Sequence, residues 1–178
     1  MKLILRTLST AIVLGELALF AFIVLSGEPE VSVAIAPVIV EPVSFSANCT
    51  STPPKDFDVL VQAAAFEFGV DPRVLATTVY RESDCNARAL GSSGEIGLAQ
   101  IHPKVWAEAL IEAGVIRRTK DLWQPFTNLR ASAYILARLS DDAGGNLRGT
   151  FRRYNGSGPK ARKYAHEQVR AFASLWSE

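Results

Sequence analysis

Histidine and cysteine are scarce in this sequence, two of each, and the histidines lie far apart at His102 and His166. No cysteine is close to either, so the spacing of a metal-ligand set is missing and no metal or cofactor is expected. Net charge is nearly absent too, at a formal +1. That balance excludes the strongly basic signature of a nucleic-acid binder. No internal repeat is evident. From Lys55 onward there is no sustained apolar–polar alternation, so strands are not expected there. Disorder is excluded by composition, because 48% of residues are hydrophobic and 21% are charged. A chain of 178 residues suits one domain with extensions.

What is present begins with a basic–apolar N-terminus. Lys2 and Arg6 precede an apolar run from about Leu8 to Leu25. That order predicts a signal peptide or signal-anchor helix over residues 1–26. The run is near the lower length limit for crossing a bilayer. Basic residues before it place the N-terminus in the cytoplasm and the remainder outside, in the periplasm or cell envelope. The product is then either anchored in the inner membrane or secreted after cleavage near Ser26 or Gly27. Glu16 sits inside the run, where a carboxylate costs about 3 kcal/mol on insertion scales. Residues 27–54 carry Pro29, Pro37, Pro42, Pro53 and Pro54 and read as an extended tether. Export would put Cys49 and Cys85 in an oxidising compartment, where they either pair or remain as two thiols. A bridge between them would close a loop worth about 4 kcal/mol in the chain-entropy model.

Residues 55–178 read as an all-α domain. A helix is expected from about Asp56 through Leu60, Ala64 and Phe68, stopped at Gly69. Asp71–Pro72 is an N-cap followed by proline at the first helical position, and opens a helix ending near Ser83. A glycine-rich loop with Gly91, Gly94 and Gly97 follows. Further helices are expected over about 103–113, 125–139 and 147–154, and from Pro159 to Trp176. Gly144–Gly145 and Asn155–Gly156–Ser157–Gly158 supply turns between them.

Three places bear chemistry. Leu75, Val79 and Glu82 share one helix face, so a carboxyl group ends an apolar stripe. Desolvation there would raise its pKa, as a general acid needs. The plainer reading is a glutamate turned to solvent or paired with Arg81 or Arg88. Gln100, framed by Leu98, Ala99 and Ile101, offers an amide to a substrate or to Glu82, or else satisfies local backbone. Tyr154 and Asn155 suit a sugar-binding cleft, or else form an ordinary turn around a buried tyrosine.

Arg81–Glu82–Ser83, then Gly97–Leu98–Ala99–Gln100–Ile101, then Tyr154–Asn155–Gly156–Ser157–Gly158 resemble the soluble lytic transglycosylase domain, a lysozyme-like family related to goose-type lysozyme. The resemblance covers about Asp56 to Trp176. It implies that Glu82 is the single catalytic acid, with Ser83, Gln100, Tyr154, Asn155 and a last-helix tyrosine, Tyr164, around the substrate. Peptidoglycan glycan strands are the implied partner, with the membrane as a second one if the N-terminal helix is uncleaved. Two positions depart from the family. Its serine nine residues after the glutamate, which the resemblance implies assists the substrate's acetamido group, is Gly91 here, with Ser92 and Ser93 just beyond as the substrate-binding candidates for that role. Its methionine is Ala99.

The resemblance implies cleavage between N-acetylmuramic acid and N-acetylglucosamine with formation of an anhydromuramic end. A hydrolase that uses water would need a second carboxylate in the cleft, with Asp84 and Glu95 as candidates. A catalytically degenerate sugar-binding module is the non-enzymatic alternative. Basic residues from Arg148 to Arg170 form either a solvated face or a weak attractor for an anionic polymer.

Overall fold

The helices form where the local signals lie. A computed structural model describes residues 43–177. The apolar run 8–25 and the tether up to residue 42 lie outside the described residues. Helix α1 spans Phe57–Glu67 and α2 Pro72–Ser83. Between them Gly69, at φ +65°, turns the chain, and Val70 N–H closes back on Ala65 O at 2.9 Å. Asp71 then caps α2 by accepting the Arg73 N–H at 2.8 Å, with Pro72 at N1. Helices α3 (Pro103–Glu112), α4 (Pro125–Asp142), α5 (Leu147–Tyr154) and α6 (Gly158–Trp176) follow. A 3₁₀ turn at Thr119–Trp123 links α3 to α4.

Helix α2 is the centre of the fold. Leu75, Ala76, Thr77, Thr78 and Val79 are consecutive and all buried. A helix enclosed on every side must satisfy its own polar groups. Thr77 and Thr78 do so by donating to Arg73 O at 2.7 Å and Val74 O at 2.9 Å. α1, α4 and α6 all pack against α2, and α5 packs against both α4 and α6. The described fold is mainly helical, as expected from the sequence. Its extended pairing is limited to two single bridges, Leu90 with Ile96 and Ile96 with Ile101, inside the glycine-rich loop.

Residues 43–54 depart from the expected tether. Phe45 is buried and meets the Trp176 ring edge-on at 5.6 Å between centroids. Tyr80 donates to Phe45 O at 2.5 Å, and Ser46 N–H donates to Asp58 at 2.6 Å. Ser46–Asn48 form one 3₁₀ turn, and Cys49 is bonded to Cys85. The folded part therefore begins by Phe45. Closely spaced prolines suggested a tether, but three elements distant in sequence hold this strap down.

Candidate active site

Glu82 lies in the last turn of α2, and the chain beyond it is held in an unusual shape. Asp84 and Cys85 both adopt left-handed backbone, at φ 50° and 65°. Such non-glycine conformations persist only where surroundings enforce them. The Asp84 carboxylate accepts N–H bonds from Thr50 and Ser51, both at 2.9 Å, and is also bonded by the Thr50 and Ser51 hydroxyls. Those bonds, the Thr50 hydroxyl first, hold its carboxyl below the usual range. The Cys49–Cys85 disulfide fixes the next residue. Asp84 is thus a structural anchor outside the cleft, and no longer a candidate second carboxylate for the chemistry.

Glu82 itself is half-buried and lines a cleft of about 450 Å³. Burial pushes its pKa up. The Tyr164 hydroxyl, donating to Oε1 at 2.5 Å, and the Arg81 charge oppose that rise, while Glu95 adds to it. Gln168 in turn donates to the Tyr164 oxygen at 2.8 Å. A phenol has one proton, so the relay runs one way, from Gln168 to Tyr164 to Glu82. With Oε1 occupied as an acceptor, Oε2 is the oxygen without a hydrogen bond from Tyr164. Gln168 lies one helical turn beyond Tyr164; that spacing was the available signal in the sequence, and it was missed. Tyr164 is buried and is raised well above an ordinary tyrosine by its burial.

The glycine-rich loop is pinned to this helix end from below. Ser83 donates to Leu98 O at 2.6 Å. Its hydroxyl is thereby committed to the backbone instead of to a sugar. Buried Asn128 of α4 accepts the Ala99 N–H at 2.9 Å and donates to Ile96 O and Leu122 O at 2.9 and 2.8 Å. A side chain on Gly97, at φ +74°, would lie 2.6 Å from the Asn128 amide nitrogen, so the close approach requires glycine. Tyr154 donates to Ala99 O at 2.9 Å, with Ser132 3.1 Å from the same hydroxyl. The Tyr154 hydroxyl is therefore turned onto the loop, while the residue lines the cleft. Of the two sequence expectations for Tyr154, a sugar-facing hydroxyl and a buried tyrosine, its hydroxyl follows the second.

Gln100 lines the cleft at φ 46°, with its amide donating to Ala89 O and Gly97 O at 3.2 and 3.0 Å. Its carbonyl oxygen makes neither bond. The loop also gives Gly91, Ser92 and Glu95 to the cleft. Ser93 is exposed and is not part of the wall. Exposed Asn155 contributes to the wall with Arg153 and Gly156, and α3 supplies Val105 and Trp106. His102 also lines the cleft; it stands at the N-cap position of α3 without capping through its side chain. Of the basic residues from Arg148 to Arg170, Arg153 alone reaches this cleft. Among the described residues, no group of three or more His, Cys, Asp or Glu is arranged to hold a metal. None of their helices is long and apolar enough to cross a membrane.

The geometry places one carboxyl group with raised proton affinity beside a polar loop, in a cleft that Trp106 and Tyr154 also line. Comparison with known folds gives this arrangement a context. The chain is similar to an inactive mutant of the lytic transglycosylase Slt from Pseudomonas aeruginosa, at 17% identity and a TM-score of 0.61, over 68% of this chain and 24% of that one. It is also similar to the 70-kDa soluble lytic transglycosylase solved in complex with bulgecin A, at 19% identity and a TM-score of 0.53, over 68% of this chain and 21% of that one. At such identities the likeness establishes the fold, and this chain spans under a quarter of those proteins' length. The family model described as the transglycosylase SLT domain matches residues 59–174. That span exceeds half of the 178 residues, and the chain belongs to the transglycosylase SLT domain family.

Proposed function

We propose that this protein is a peptidoglycan lytic transglycosylase of the cell envelope, with Glu82 acting first as acid and then as base. The observation that carries the reading is Glu82 itself: a half-buried carboxyl group in the cleft, held on one oxygen by Tyr164. Burial keeps its proton on toward neutral pH, which is what a general acid requires. Glu82 gives that proton to the glycosidic oxygen between N-acetylmuramic acid and N-acetylglucosamine, and the bond from that oxygen to the muramic anomeric carbon breaks. The substrate's acetamido group stabilises the charge that develops there. The muramic C6 hydroxyl oxygen then bonds to the anomeric carbon and its proton returns to Glu82. The anhydro ring closes, and no water is consumed.

The fold supports the polar contacts this needs. Gln100 and Asn155 place amides at the cleft wall, and Trp106 offers an apolar surface to a sugar face. A second reading, hydrolysis by water, draws support from Glu95, the other carboxylate in the cleft. Export by the N-terminal apolar segment would bring the domain to its substrate.

Mass spectrometry of fragments released from purified peptidoglycan tests the reading. Anhydromuramic ends that disappear with Glu82→Gln are expected. Reducing muramic ends would reassign the enzyme as a hydrolase. Absence of cleavage by folded wild-type protein would leave a sugar-binding module.

A further inference from the structure

The loop that faces Glu82 carries a carboxylate in a seat made for it. Gly91 N–H donates to Glu95 O at 2.8 Å, and Gly94 N–H donates to Gly91 O at 3.1 Å. This tight turn returns the Glu95 side chain over Gly91. The Ser93 N–H holds Glu95 Oε2 at 2.9 Å. A Cβ at position 91 would lie 2.2 Å from that oxygen and 2.7 Å from Gln100 Oε1. Only glycine leaves room for the carboxylate there. Gln100 cannot readily give way, because its amide nitrogen is bonded to two backbone carbonyls.

The two cleft carboxylates are pushed in opposite directions. The Glu95 backbone N–H, and then that of Ser93, hold Glu95 in its ionised form. Burial raises the proton affinity of Glu82, and the Glu95 charge adds to that effect. Environments that separate two neighbouring carboxyl groups in this way assign one as acid and the other as fixed charge.

We propose that Glu95 is a positioning residue for the catalytic proton: seated over Gly91 in the same cleft, its negative charge favours the acid form of Glu82 between turnovers. The proposal rests on Glu82 being the general acid. Glu95 needs no contact with the reacting atoms for this role. The other groups that face Glu82 are Arg81 on α2, Tyr154 at the end of α5 and Tyr164 on α6, with His102 and Arg153 elsewhere in the cleft wall. A change at position 95 leaves Arg81, Tyr154, Tyr164 and Arg153 in place and removes, besides the Glu95 charge, its attraction to His102.

The sign of the effect follows directly. A negative neighbour opposes ionisation of Glu82, so removing it lets Glu82 lose its proton at lower pH. Cleavage of peptidoglycan by the full chain is measured against pH for wild type, Glu95→Gln and the control Glu108→Gln, an exposed carboxylate on α3 away from the cleft. Glu95→Gln is expected to move the alkaline limb toward acid, while Glu108→Gln leaves it in place. The carboxyl carbon of Glu82, assigned by its loss in Glu82→Gln, is titrated by NMR in the same proteins without substrate. It should show the same displacement whichever product the enzyme makes. A folded Glu95→Gln protein with an unmoved Glu82 titration overturns the proposal.

The seat is tested separately. Gly91→Ala should lower the melting temperature more in wild type than in a Glu95→Ala background, because truncation removes the clashing oxygen. Equal losses in the two backgrounds would mean that Glu95 does not occupy the space over Gly91. If the products carry reducing ends, the anhydro-ring reading fails while the Glu95 titration still stands.

Discussion

If Glu82 is the acid proposed above, it trades stability for chemistry, and the trade has a measurable sign. Its proton affinity is raised in the folded state, so the folded protein binds that proton more tightly than the unfolded chain. Its contribution is present at low pH and is lost as pH rises from the ordinary value of 4.5 through the raised one. Glu82→Gln keeps the shape and removes the titration. That variant should lose at least about a hundredfold in cleavage, the usual scale for a removed general acid. It should also melt higher than wild type near neutral pH, with the gap closing toward pH 4. A melting temperature that falls below wild type at neutral pH would show that the carboxylate is stabilising and the burial argument wrong. Tyr164→Phe acts in the other direction. It removes a hydrogen bond that favours the carboxylate and leaves the buried Gln168 amide unpaired, a cost of about 1–3 kcal/mol. The alkaline limb of the pH profile should therefore move to higher pH, opposite to Glu95→Gln. Loss of activity without that displacement would reduce Tyr164 to a packing residue.

At the scale of elements, the site is a helix end and a loop joined by the Ser83–Leu98 bond, with the loop held in turn by α4. Asn128 of α4 is the clamp, with three hydrogen bonds to backbone of the loop and of the 3₁₀ turn. Asn128→Leu removes all three partners from buried groups. A loss of about 3 kcal/mol or more is expected from unsatisfied backbone alone, read by urea unfolding. Activity should fall further than stability explains, because Ala99 and Ile96 flank the loop that shapes the cleft. A variant that unfolds earlier yet cleaves normally below its transition would separate the clamp from the site. Helix positions were legible because their signals are local: Asp71–Pro72 opens α2, Gly69 closes α1, and the glycine pair Gly144–Gly145 ends α4. Glu82, Gln100 and Asn155 were legible as cleft residues through spacing. The directions of the Ser83 and Tyr154 hydroxyls were not. Each is set by a carbonyl 15 or 55 residues away in sequence, which no local pattern encodes. The role of Asn128 is hidden for the same reason, since its partners lie on other elements, whereas Gln168 stands one turn from Tyr164 on the same helix and was open to a local reading.

Across the described domain, the unexpected part is the strap from Phe45 to Ser51, which is tied to the helix that carries Glu82. It reaches Tyr80, Asp84 and Cys85 at the end of α2 and Trp176 at the end of α6. Helix α6 also carries Tyr164, so both partners of the Glu82–Tyr164 bond are braced by one segment. Prolines alone gave it the look of a tether, because its bonds to Tyr80 and Asp84 and its disulfide partner lie more than 30 residues further along, and its nearest side-chain partner outside the strap, Asp58, is 12 away. The Cys49–Cys85 bridge spans a sequence separation of 36, worth about 4 kcal/mol in the chain-entropy model. Burying Phe45 contributes roughly a further 2–3 kcal/mol. Together these are a large share of the 5–15 kcal/mol by which domains are ordinarily stable. A chain begun at Lys55 should therefore have a much lower urea midpoint than one begun at Pro42. The double variant Cys49→Ser/Cys85→Ser should fall between them, and dithiothreitol should bring the Pro42 chain to the level of that variant. Cleavage should decline in the same order, since Asp84 and Cys85 directly follow the turn that carries Glu82. Equal midpoints for the Pro42 and Lys55 chains would show that the strap rests on the domain without holding it, and would return the boundary of the folded unit to Lys55.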